Sequence, residues 1–274
     1  MEYPIFHNHT WKKSSEVSVS IRDVGFLRGY GIFDFFRIME GQPIFLSDHL
    51  DRFLLSAQKM GIQHTYTKDT LTGLLLDLAS MSKDEFLGVK MVLSAGDSLN
   101  GFDPIGESQL FIIPSVFQFA DFERGMRLKS IIYQREMADI KSLNYAFALR
   151  HWSQIKAEGF DDYLYHTDVI GVTECSRSNL FLVKNNTVVT PNQGILEGVT
   201  RKKMMEICQK NKLQLEIRNA SLQEFMEADE VFTTGSTKRV VPIKQIDDRL
   251  FEIGEMTRFL YHELLKCEIS TIKN

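Results

Sequence analysis

The chain has 274 residues, enough for one large or two modest domains, with the 43% hydrophobic and 25% charged content of an ordinary folded protein. A net charge of −4 gives no electrostatic footing for nucleic acid or a membrane surface. The three cysteines, Cys175, Cys208 and Cys267, form no CxxC pair, which argues against a zinc site or a disulfide framework and for a reducing cytoplasm. Met1-Glu2-Tyr3-Pro4 offers neither a basic start nor the apolar run of a signal peptide, and no apolar stretch is long enough to span a bilayer.

The first part mixes short strands with helices. Residues 18–21 alternate weakly, as a strand would. The apolar run 33–39, followed by the turn Gly41-Gln42-Pro43, predicts a hairpin whose second strand is 43–46. Ser47 or Asp48 can cap a helix over 49–60 with Leu50, Phe53, Leu54 and Ala57 on its apolar face. A second helix runs over 70–81, and 87–94 and 109–114 read as buried strands. Composition loosens over 116–124, which places a boundary between a small domain, 1–118, and a larger one, 119–274.

The larger domain begins with a strand over 127–134. A helix over 145–158 ends at Gly159. Strands follow at 163–167, 179–184 and 187–190, the last two joined by Asn185-Asn186, because Asn tolerates positive φ. A helix over 200–211, a short one over 222–228, a strand over 230–234, a turn at Asp247-Asp248-Arg249 and a terminal helix over 253–267 complete the pattern. Without regular βαβ alternation, the fold class is α+β.

Two stretches carry chemistry. Lys141-Ser142-Leu143-Asn144-Tyr145 sets an amine beside a phenol, and Val172-Thr173-Glu174-Cys175-Ser176-Arg177-Ser178-Asn179 sets one carboxylate in a hydroxyl-rich turn. Alone, such a lysine snorkels to the surface, and such a carboxylate is capped by a neighbour like Ser176. Leu196-Glu197-Gly198-Val199-Thr200-Arg201 reads as a loop entering a helix, whose N–H groups bind a phosphate or are capped by Thr200. Thr233-Thr234-Gly235-Ser236-Thr237 is a polar turn or a second phosphate wall. Arg52 is a cation for the same phosphate or a helix-surface partner of Asp48. Arg28 and Lys90 are candidates to grip a substrate carboxylate. Gly29-Tyr30-Gly31 lacks the rest of a dinucleotide fingerprint. His7-Asn8-His9 has no third ligand, so no metal is expected. Trp11 and Trp152 read as packing residues. An amine to hold an aldehyde, an anion for a pyridine nitrogen and donors for a phosphate are the parts that pyridoxal phosphate (PLP) needs.

Six stretches in order resemble the fold-type IV PLP enzymes, or class IV aminotransferases, over about residues 18–245: Asp23-Val24-Gly25-Phe26-Leu27-Arg28-Gly29-Tyr30-Gly31-Ile32-Phe33-Asp34, His49-Leu50-Asp51-Arg52, the Lys141 and Glu174 stretches, Leu196-Glu197-Gly198-Val199-Thr200-Arg201, and Ala228-Asp229-Glu230-Val231-Phe232-Thr233. The resemblance implies a small N-terminal α/β sandwich-like domain, a larger C-terminal pseudo-barrel domain, PLP in the cleft, and a homodimer. It implies Lys141 as the lysine bonded to PLP and as the catalytic base, Glu174 on the pyridine nitrogen, and Tyr145 on the phenolic oxygen. Arg52, Val199 (through its N–H), Thr200 and Ser236 would hold the phosphate.

The group includes D-amino-acid aminotransferases, branched-chain aminotransferases and aminodeoxychorismate lyase. Asp34 stands where Glu is common, and residues 88–93 lack the arginine-histidine pair of well-known D-amino-acid enzymes, offering Lys90 instead. Leu27-Arg28-Gly29-Tyr30-Gly31-Ile32-Phe33-Asp34 is similar to a subgroup of D-amino-acid transaminases with an early arginine. The resemblance therefore implies transfer of an amino group between an amino acid, D favoured, and a 2-oxo acid. Arg28 and Lys90 would grip the carboxylate, with Arg177 a further candidate. A branched-chain L-amino-acid aminotransferase and a PLP lyase are the alternatives.

Overall fold

The computed structural model describes residues 3–82 and 84–273. They form two compact units. The first takes the chain up to Gln118, together with Ile140–Asn144 and the end of the chain from Ser270; the second takes Phe119–Asp139 and Tyr145–Ile269. The two short segments that join the first unit from beyond residue 119 are invisible to a reading that cuts the chain once.

The first unit is built on a six-stranded antiparallel sheet in the order Thr10–Lys12, Ile5–His7, Gln109–Val116, Phe86–Ser94, Gly31–Met39, Gln42–Pro43. Along Gly31–Met39 the period of two puts Ile32, Asp34, Phe36 and Ile38, all buried, on one face. Helices Leu46–Met60 and Lys68–Met81 bring Leu50, Phe53, Leu71 and Leu75 into the same core. Asp34 is the one polar member of that strand's apolar stripe. Phe33 and Phe35 lie on the opposite face, where Lys90 pairs across from Phe35.

In the second unit six strands close on themselves: Gly171–Cys175, Asp162–Thr167, Met126–Ile132, Arg239–Ile246, Glu230–Gly235, Asn179–Lys184, and back to Gly171–Cys175. The closing pair is Glu174 with Asn179. Thr187–Thr190 and Gln214–Ile217 extend the sheet beyond Asn179–Lys184 as a half-barrel. Leu128, Leu164, Leu180, Val231, Val241 and Ile243 fill the core. Asn185 and Asn186 turn the hairpin at φ 49° and 60°, the twist that two-residue hairpins require.

The α+β class and the barrel-bearing second domain match the structure. Several local expectations differ. Residues 18–21 form no strand: the Ser20 hydroxyl accepts the Arg22 N–H and a turn leads into the helix Val24–Arg28, capped by Asp23. The first long helix starts at Leu46, after Phe45 in the left-handed region, and so begins before Ser47 or Asp48 could cap it. The helix expected over 145–158 is broken at His151 into Ala146–Arg150 and Trp152–Ala157, and the His151 carbonyl accepts from Tyr163 Oη at 3.1 Å. Glu174 sits in strand Gly171–Cys175, just before the turn. Strand Arg239–Ile246 is absent from the sequence reading; it carries Pro242, a residue uncommon inside a sheet, which here pairs opposite Phe232. Among the described residues, no helix is long and apolar enough to cross a membrane, and no cluster of His, Cys, Asp or Glu could hold a metal ion.

Candidate active site

Lys141 is held in the first unit by its backbone. Its carbonyl accepts the Phe33 N–H at 2.8 Å, and the Leu143 N–H donates to Gly31 O at 3.0 Å, so the segment lies along strand Gly31–Met39 like a short extra strand. The approach demands glycine at position 31: a Cβ there would come within 2.7 Å of Leu143 Cδ1 and 2.9 Å of Leu93 O. Lys141 Nζ rests 4.4 Å from the Phe33 ring centroid, and Lys90 Nζ lies 5.9 Å from the same ring. Two amines thus lie near one aromatic ring, an electrostatically attractive place for a cation.

On the other face of that strand, Asp34 is fully buried and receives Arg52 in a two-toothed grip, Nε to Oδ2 and Nη2 to Oδ1, each at 2.8 Å. His49 Nδ1 lies 2.7 Å from Asp34 Oδ1. A carboxylate only accepts, so Nδ1 carries the hydrogen, and the 3.3 Å approach of Arg52 Nη2 to that nitrogen is not a hydrogen bond. Burial alone would raise Asp34, but the charges and hydrogen bonds of Arg52 and His49 outweigh it and hold the carboxyl well below the usual range. Burial lowers His49, and the pull of Asp34 offsets it only in part. Arg52 therefore does not pair with Asp48, the alternative its helical spacing suggested.

In the second unit, Glu174 occupies the barrel-closing position. Its Oε1 accepts from Arg135 Nε and its Oε2 from the Leu196 N–H, both at 3.0 Å, and both side chains are buried. Arg135 is steadied in turn by the Ala138 carbonyl, 2.5 Å from Nη2. Cys175 next to Glu174 is pushed up to about 12 by burial and by Asp162, which leaves it a neutral packing thiol. Leu196 leads to helix Val199–Lys210, whose N-cap is Gly198 with no side-chain cap. A Cβ on Gly198 would strike the Asn179 side chain, which is bonded to Leu196 O at 2.8 Å. Val199 and Thr200 at the helix start are buried. Ser236 is half-buried in the loop after strand Glu230–Gly235. Tyr145, half-buried, stands at the N-cap of Ala146–Arg150.

Arg28 is exposed, with Nε donating to Gly101 O at 3.2 Å. Lys90 lies near the Phe33 ring, as Lys141 does, whereas Arg177 stacks over Trp152 at 5.0 Å, as does Lys156 at 5.1 Å. Trp152 is therefore a platform for cations as well as a packing residue. His7 stacks on Phe111 and meets Gln109. Sequence reasoning missed Arg135 altogether and noted Asp34 only as a departure from Glu. The signal for Asp34 was present, a carboxylate within an apolar period-two stripe. Nothing local marks Arg135, which lies 39 residues before its partner.

The model of the family described as amino-transferase class IV matches residues 31–246. The D-alanine aminotransferase of Bacillus licheniformis is 27% identical, over 91% of this chain and 90% of its own. The aminodeoxychorismate lyase of Bacillus subtilis (strain 168) is also 27% identical, over 96% and 94%. The fold matches the T.th. branched-chain amino acid aminotransferase, complexed with N-(5'-phosphopyridoxyl)-L-glutamate, with a TM-score of 0.89 at 21% identity, covering 97% of this chain and 94% of that one.

Proposed function

Because this chain belongs to the class IV aminotransferases, and so to a family of PLP enzymes, we propose that it moves an amino group between a D-amino acid and a 2-oxo acid. Bound PLP supplies an aldehyde that takes up the amino group and a protonated ring that draws electrons from the α-carbon.

The residues fit that group. Lys141 offers the amine, Glu174 a buried anion for the ring nitrogen, and the uncapped start of Val199–Lys210 its N–H groups for the phosphate. Two buried hydroxyls, Ser142 Oγ next to Lys141 and Thr234 Oγ1 opposite Asn179, have no partner among the described residues. In this reading Lys141 Nζ would hold the aldehyde and would serve as the general base for the α-proton. Arg135 keeps Glu174 turned and charged. Arg52, aimed by Asp34, would be a cation for the phosphate; Val199 N–H, Thr200 and Ser236 would be its further donors, and Tyr145 would meet the phenolic oxygen. Lys90 and Arg28 grip the substrate carboxylate, with Arg177 a further candidate.

One observation carries the reading: the Lys141 amine and a second cation, Lys90, lie 4.4 and 5.9 Å from the centre of one ring, Phe33, which supports a carboxylate-attracting charge near the reactive amine. The D preference is supported by the Arg28-bearing stretch and the D-alanine aminotransferase relative. The test is a panel of D- and L-amino acids with 2-oxoglutarate and PLP, read by chiral product analysis. Turnover of D-amino acids is expected. Turnover of branched-chain L-amino acids alone would replace the reading, and pyruvate release without an acceptor would point to a lyase. Protein that stays colourless with PLP would end the enzyme reading. A homodimer is implied by the family resemblance; exposed Ile21, Phe26, Leu99 and Phe102 on the first unit are apolar residues available to it, and sedimentation checks it. Three free cysteines are consistent with the cytoplasm.

A further inference from the structure

We propose that Lys238 is a positioning residue whose buried ammonium locks the loop bearing Ser236 to the turn that follows Glu174. The proposal rests on the roles given to Ser236 and Glu174 above.

Ser236-Thr237-Lys238 is the loop between strands Glu230–Gly235 and Arg239–Ile246, whose end residues Gly235 and Arg239 pair. The Lys238 N–H returns to Gly235 O at 3.0 Å, and its side chain turns inward. Nζ lies 3.0 Å from Ser178 Oγ and 3.5 Å from Asp162 Oδ2; Lys238 is buried and Asp162 wholly so. Asp162 is fixed in turn, since its Oδ1 accepts the Tyr163 N–H at 2.8 Å and the Ser176 hydroxyl. Ser176 and Ser178 are both in the turn between Glu174 and Asn179 that closes the barrel. Ser178 Oγ also lies 2.7 Å from Thr233 Oγ1, whose hydroxyl reaches Asn179 O at 2.8 Å, so strand Glu230–Gly235 joins the same network.

The loop is also held from its far end. Arg239 adopts φ 58°, a left-handed conformation that a side chain disfavours. Its guanidinium is paired with the buried Glu268 at 2.7 Å and packs 3.7 Å from the Phe119 ring centroid. Strain of this kind persists only where surrounding contacts fix it. A lysine is almost never so buried unless paired, and an apolar pair would fill the same space without a desolvation cost. What the ammonium adds is a directional tie between loop and turn, made by its hydrogen bond to Ser178 and held in place by its pairing with Asp162. A loop ordered in advance does not lose freedom when a phosphate binds.

The test compares wild type with Lys238→Met, with the double variant Asp162→Asn/Lys238→Met, which leaves no unpaired buried charge, and with Ser178→Ala, which cuts the tie but keeps the ion pair. Melting temperature without cofactor and the Kd for PLP and for pyridoxal, which lacks the phosphate, are measured. The double variant is expected to melt close to wild type, to bind PLP about tenfold more weakly and to bind pyridoxal unchanged. Ser178→Ala is expected to lose about threefold in PLP affinity with the same dependence on phosphate. If both variants bind PLP as wild type does, or weaken PLP and pyridoxal equally, the ion pair is only structural and the proposal is overturned. Wild-type protein that does not bind PLP would overturn the reading of the site, and this inference with it.

Discussion

Asp34 in the first unit and Glu174 in the second are both buried acids held by an arginine and a second donor, but the second donors differ. Asp34 has the imidazole of His49, and Glu174 the peptide N–H of Leu196. The members are also ordered differently. Asp34 is fully buried while Arg52 keeps 12% of its side chain exposed, so the acid is the inner member and aims the cation outward. Arg135 and Glu174 are buried alike, 7% and 6%, and the carboxylate is fixed by main chain on its far side. The first arrangement suits a cation that must meet an anion, the second an anion that must meet a proton. The first also contains an imidazole, whose proton affinity burial lowers, and the second does not.

The largest effect is expected from breaking the second pair on its cationic side. Arg135→Met leaves a buried carboxylate without its counter-charge, which costs about 3–5 kcal/mol. Urea unfolding should show that loss, and Arg135→Met/Glu174→Gln should recover most of it without recovering activity. A single variant that unfolds at the wild-type midpoint would mean the pair is solvated. Glu174→Gln comes next. It keeps the size and the Leu196 contact but removes the charge, so turnover should fall about 10²–10³-fold, the cost of losing one preorganised electrostatic group. PLP affinity should hardly change, because the phosphate contacts remain. A fall in affinity with turnover intact would reverse the assignment.

Asp34→Asn probes the outward-facing pair. The amide cannot accept both Arg52 hydrogens as a charged fork, so the guanidinium is released and PLP affinity is expected to fall about tenfold, while turnover at saturating PLP stays within about threefold of wild type. The same substitution should change acid stability. A carboxyl held below its unfolded value contributes stability above that value, about pH 3.9, and the contribution is lost as pH falls further. The variant should therefore unfold less steeply below about pH 4.

How much of this was legible in the sequence follows chain distance. Lys141, Glu174 and the helix start at Val199 are marked by their immediate neighbours, and strands Asn179–Lys184 and Thr187–Thr190 by short apolar runs and a two-asparagine turn. The partners that make those residues useful are far away in sequence: Arg135 for Glu174, Asp34 for Arg52, Gly31 and Phe33 for Lys141. Short-range periodicity cannot report a pair fixed by strand register or barrel closure. Pro242 shows a complementary case, a local tendency overridden because neighbouring strands supply the pairing.

His49 gives the smallest and most specific test of the difference between the two acids. Burial outweighs the attraction of Asp34 and holds the imidazole below its ordinary value of 6.5. The unfolded chain therefore takes up the proton first, so this contribution to stability is complete above about pH 6.5 and is lost as pH falls towards the folded value. The slope for one proton is about 1.4 kcal/mol per pH unit at most. In His49→Asn a side-chain N–H can still reach Asp34 Oδ1, but nothing titrates there. The decline in stability between about pH 6.5 and 5 should be shallower in the variant, though not absent, since burial also lowers His64. An unchanged slope would show that His49 is already charged in the folded protein. Asp34 would then be pinned between two cations, and the contrast with Glu174 would rest on which member of each pair faces outward.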